Sequence, residues 1–98
     1  MSKFRKGDIV KIVKVMKYGG LSSAKEIKEW DKNFVNVLGE ITSIGKNNIH
    51  NDYYYAVRFE SLKKAIEVFY TKELTLATEI ESFLFHIYGS KVLKDEQI

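Results

Sequence analysis

Tyr53-Tyr54-Tyr55-Ala56-Val57-Arg58-Phe59-Glu60 alternates between two sets of side chains. Neighbours on a β-strand point to opposite faces of the sheet. Tyr53, Tyr55, Val57 and Phe59 therefore read as a core face, and Tyr54, Ala56, Arg58 and Glu60 as an outer one. One strand needs partners to persist in water, and both flanks supply them. Upstream, residues 36–44 form a β-branched run that carries Gly39, a glycine suggesting a bulge or a close backbone approach. Residues 45–52, rich in Gly, Asn and Asp, read as the hairpin loop between the two. Downstream, Ser61-Leu62-Lys63-Lys64 turns the chain into a strand over 65–70. Thr71-Lys72-Glu73 is a one-turn connector, and 74–77 is a short fifth strand. At the other end, Gly7-Asp8 opens a run over 9–16 that is closed by Tyr18-Gly19-Gly20.

Two segments change period from two to between three and four. Ser23 and Glu26 match a capping box, and Ala24, Ile27, Trp30 (or Asp31) and Phe34 follow at helical spacing, so a short helix is expected over 22–34, inside the first long loop. Thr78 and Glu81 form a second box. Ile80, Phe83, Leu84 and Ile87 make one apolar stripe, and Gly89 is the expected stop. Residues 1–89 read as one domain and 90–98 as a charged tail in which Val92 and Leu93 can pack.

Gly7-Asp8-x-Val10-x-Ile12, Gly39-x-Ile41-x-x-Ile44, Tyr55-x-Val57-x-Phe59 and Phe69-Tyr70-x-x-Glu73-Leu74 resemble the strand signatures of the SH3-like small β-barrels, the KOW and Tudor-like members in particular. The resemblance spans about residues 4–77. It implies a mainly β fold: a five-stranded SH3-like barrel, with a helix inserted in the first long loop and a C-terminal helix added. It also implies binding, not catalysis, and transfers no ligand. The chain lacks the proline-binding Tyr and Trp set of signalling SH3 domains, because Trp30 lies in the expected helix, and it has no aromatic cage for methyl-lysine.

Composition narrows the function classes. Of 98 residues, 45% are hydrophobic and 30% charged, which is ordinary globular usage and argues against disorder. There is no cysteine, so disulfides and thiolate metal sites are excluded. No basic-then-apolar leader or membrane-length apolar run is evident, and a cytoplasmic address is expected (the host cytoplasm, were the chain phage-encoded). Residues 1–17 carry six basic groups against Asp8 alone, a net +5. The other 81 residues hold ten basic and twelve acidic groups, a net −2. Such a segment can contact phosphate or an acidic partner through Lys11, Lys14 and Lys17; equally, lysines protect a sheet edge from aggregation.

No catalytic constellation is legible. His50 sits in the hairpin loop and His86 on the short helix, with no metal-binding or triad spacing to link them. Gly19-Gly20 before a helix lacks both the Walker lysine and the dinucleotide-binding glycine pattern. Neither a cofactor nor a metal is expected.

The candidates for partner binding are Tyr54 with Arg58, Trp30, Tyr18 and Phe85. Tyr54 and Arg58 share the outer face of their strand, and an aromatic beside an arginine is the composition of a hot spot; the plainer reading is a cross-strand pair or cover by the C-terminal helix. Trp30 and Tyr18 flank the inserted helix. Phe85 lies off the helix stripe, so it is either exposed or buried on a second side. Three functions fit. The first is a protein-binding module, such as a phage or mobile-element accessory protein that inhibits a host defence enzyme. The second is a KOW-like RNA- or DNA-binding barrel using Lys11, Lys14, Lys17 and Arg58. The third is a structural subunit that forms a homodimer through the C-terminal helix.

Overall fold

The computed structural model describes residues 2–15, 32–49, 51–60 and 66–95. Five strands form one antiparallel sheet: β1 (Ile9–Ile12), β2 (Leu38–Asn47), β3 (Asp52–Arg58), β4 (Ile66–Tyr70) and β5 (Leu74–Leu76). A 3-10 turn, Thr71–Glu73, separates β4 from β5. Two helices follow, α1 (Glu79–Tyr88) and α2 (Val92–Asp95). Residues 32–34 are helical; the remainder of the expected 22–34 helix, with its capping box, lies outside the described residues, as do Tyr18, Lys17 and His50.

The strand order is β4-β3-β2-β1-β5. Barrel closure, expected from the resemblance, is not realised: β4 and β5 both remain edges of an open sheet among the described strands. The pairing at this end is short: β1 and β5 share three residue pairs, Val10 with Leu76 to Ile12 with Leu74, and closure would require β5 to pair with β4 as well. The middle is stronger: β2 and β3 pair from Glu40 opposite Arg58 to Asn47 opposite Asp52, with a bulge between Ile41 and Ser43.

One side of the sheet carries the main core. Tyr55, Val57 and Phe59 are buried there as their alternation predicts, with Val10, Ile12, Ile41 and Leu74 from the neighbouring strands. Phe34, Phe59 and Phe69 form an aromatic triangle with centroids 5.4 to 6.1 Å apart. Phe4 closes the end of this core, its ring edge-on to Tyr55 at 5.3 Å. The Tyr55 hydroxyl is buried with no hydrogen-bond partner among the described residues. Gly39 is where the sheet packs most closely. A Cβ there would collide with a Val57 methyl and lie 2.9 Å from the Arg58 carbonyl oxygen.

The opposite side holds a smaller core of Ile9, Leu38, Phe85 and Val92, with Ala77, Leu84 and Leu93 packed around it. Helix α1 begins as expected, with Thr78 and Glu81 exchanging capping hydrogen bonds. It ends at Gly89, whose φ of 89° favours glycine. The packed chain continues past that point. Ser90 is fully buried: its Oγ accepts from the Glu60 N–H at 2.7 Å, its own N–H donates to the Glu60 carbonyl, and its carbonyl accepts from the Leu38 N–H.

Candidate partner-binding surfaces

The strand pairing sets out the first surface. Outward residues of β3 and β4 lie opposite one another as Tyr54 with Tyr70, Ala56 with Val68, and Arg58 with Ile66. On the other flank of β3, Gly45 faces Tyr54 and Glu40 faces Arg58. Tyr54, Ala56 and Arg58 thus share one face with Ile66, Val68 and Tyr70. Helix α1 covers the β1–β2 half of the same side, so the β3–β4 half keeps Tyr54, Ile66 and Val68 exposed, the last two at 54% and 51%.

Each group there is held by its neighbours. The Tyr54 ring lies over Gly45, where any Cβ would collide with it. It meets Tyr70 edge-on at 6.4 Å, and the Tyr70 hydroxyl accepts from the Asn47 side-chain amide at 3.2 Å. Arg58 is fixed between two carboxylates, Glu60 and Glu40, the latter at 2.7 Å. These hydrogen bonds, Glu60's first and then Glu40's, push its pKa above the ordinary guanidinium value, and their charges add to the effect. The arginine belongs to an ion-pair cluster of one cation and two carboxylates, so it is not a free cation.

Helix α1 forms the second surface. Of the stripe Ile80, Phe83, Leu84 and Ile87, Leu84 packs against the second core, whereas Ile80, Phe83 and Ile87 are 73%, 64% and 55% exposed. Of the two alternatives for Phe85, burial is the one realised, at 1% exposed. Phe85 is an anchor against Ile9, Leu38 and Val92, which removes it as a direct partner contact. Physically, both ends of the helix fix its rotation: the Ala77 N–H donates to the Ile9 carbonyl before it, and Ser90 is held after it. Glu81, on the inner flank, bonds Lys11 Nζ at 3.1 Å. Its carboxyl is held below the usual carboxylate range by the Thr78 backbone N–H first and by Lys11 next.

The same ion pair places the Lys11 ammonium on Glu81, so a phosphate or acidic partner would compete with that carboxylate for it. Lys14 is exposed beyond β1. Tyr18, Trp30 and Lys17 lie outside the described residues. Sequence reasoning missed Ile66 and Val68 as neighbours of Tyr54, because register across β3 and β4 is not legible from either strand alone. It also missed the outward ridge on α1. The available signal was that, at 3.6 residues per turn, Phe85 lies roughly 170° from the centre of Ile80, Phe83 and Ile87, so that burying Phe85 turns those three outward.

No family model matches the chain, and neither a curated protein nor a solved structure does so. Among the described residues no group of three or more His, Asp or Glu side chains converges as metal ligands, and no helix is long and apolar enough to cross a membrane.

Proposed function

We propose that the chain is a non-catalytic binding module of SH3-like architecture that engages a protein partner through the outer face of β3 and β4. The observation that carries this reading is the uncovered row of Ile66, Val68 and Tyr54 on a sheet whose other half is roofed by α1. Large side chains left in water on a rigid support, rimmed by a fixed ion-pair cluster, are the composition of an interface core with its polar rim. The order of elements, five strands with a 3-10 turn before the last, supports the SH3-like part of the reading. A nucleic-acid role is weaker on the same face, since Arg58 is balanced by Glu40 and Glu60 and Lys11 by Glu81.

The test is capture from a nuclease-treated lysate by the intact chain and by a Tyr54→Ala/Val68→Asp variant. A protein retained by the first, lost by the second, at unchanged melting temperature supports the proposal. Capture that disappears with nuclease treatment points to nucleic acid and overturns it. Assaying the captured enzyme with and without the module then tells an inhibitor from a scaffold.

A further inference from the structure

We infer that the α1 ridge is a self-association surface, on which a second copy of this chain docks helix to helix and antiparallel. With 3.6 residues per turn, Ile80, Phe83 and Ile87 fall within an arc of roughly 60°, and its centre lies about 170° from Phe85. The ridge therefore points directly away from its own sheet, so two copies can meet along it without their sheets colliding. An antiparallel two-fold puts Ile80 of each copy against Ile87 of the other, with the two Phe83 rings meeting at the axis.

Charge selects that direction and that partner. Glu79 and His86 lie on the same flank of the helix as Phe83, at opposite ends of the ridge; both are exposed. In an antiparallel pair the same flanks face each other, so Glu79 of one copy sits beside His86 of the other, twice over, and an imidazole N–H donates to each carboxylate. The helix dipoles also oppose. A parallel pair would instead bring the acidic helix starts, with Glu79 beside the ridge, to the same end, and leave His86 without an acidic neighbour. The ridge is self-complementary in one orientation only, as an isologous interface requires.

The area sets the strength. Given aromatic side chains that bury 150–250 Å² when fully covered, this ridge of one Phe and two Ile, each already partly covered, removes roughly 300 Å² per copy. The total of about 600 Å² falls well short of the roughly 1,200 Å² at which standard interfaces begin, which places the pair among weak, reversible complexes.

The test is sedimentation equilibrium of the full chain from roughly 5 µM to roughly 1 mM, the range in which an interface this small associates. A monomer–dimer equilibrium with a dissociation constant on the order of 100 µM is expected. Phe83→Glu abolishes it without moving the melting temperature measured on dilute monomer. Glu79→Lys weakens it several-fold, and adding His86→Glu to that variant restores it. Val68→Asp, on the separate sheet face, leaves it intact. A chain that stays monomeric throughout, or a dimer that survives Phe83→Glu, overturns the inference, and in the first case the ridge belongs to a different protein.

Discussion

Replacing Ser90 by Ala removes one oxygen and nothing else from the junction between α1 and the sheet. The two backbone hydrogen bonds of residue 90, to Glu60 and from Leu38, do not depend on the side chain. What is lost is the 2.7 Å bond by which Oγ accepts from the Glu60 N–H. The acceptor side chain is fully buried, but the donor belongs to Glu60, an exposed residue, so water restores part of what is lost. Losing a partly buried hydrogen bond of this kind costs about 1 kcal/mol. For a domain near 100 residues that lowers the midpoint by roughly 4–8 °C. Thermal melts followed by circular dichroism measure it, with Lys91→Ala as the control at the exposed neighbouring position. A shift below about 2 °C, or an equal shift in the control, would refute the reasoning and return residues 90–93 to the status of a tail.

Gly39→Ala should cost roughly 2–3 kcal/mol or prevent folding, because the new methyl meets the Arg58 backbone carbonyl, which cannot swing aside; urea denaturation reads the loss, and a neutral result would mean the strands are spaced more widely there. Tyr55→Phe should be neutral or add up to about 1 kcal/mol, since it deletes a buried hydroxyl that lacks a partner among the described residues; a clear drop in the same assay would show that the hydroxyl is hydrogen-bonded. Glu81 has a lowered folded-state pKa, so its contribution is fully present at neutral pH and is lost as pH falls through that lowered value. Glu81→Gln should melt earlier than the parent at pH 7 and lose less on acidification toward pH 3, as a pH series of melts would show.

The central strand was legible because its period is unambiguous: Tyr55, Val57 and Phe59 could face only one way once the alternation was seen. The caps were equally legible, since Thr78 with Glu81, and Gly89, act within a single turn. What failed depends on contacts between distant parts of the chain. The rotation of α1 is set by Ala77 reaching Ile9 and by Ser90 reaching Glu60 and Leu38, partners that no local pattern names. With apolar residues at 80, 83, 84, 85 and 87, the helix could have turned either side inward. Closure of the sheet failed for a related reason. The resemblance supplies an order of strands, whereas closure depends on the two end strands, β4 and β5, meeting, a contact between distant parts of the chain that no strand signature encodes. Of the candidate sites, Tyr54 kept its place on an open face, and Arg58 kept its place but with its charge already balanced.

The position of β1 has a consequence for synthesis. It is made first, yet its two neighbours are β2 and β5, and β5 lies more than sixty residues downstream. The β2-β3-β4 meander pairs only with its neighbours in sequence and can assemble as soon as residue 70 has left the ribosome. β1 must wait with one edge unpaired until Leu74–Leu76 arrive, and Leu38 must wait longer still for the carbonyl of Ser90. Long-range closure of this kind is the slow part of folding. Lys11 within that strand and Lys14 just beyond it put charge at its open edge, a placement that disfavours pairing with another chain. Once Glu81 emerges, Lys11 is drawn into its ion pair and the role passes to the folded domain.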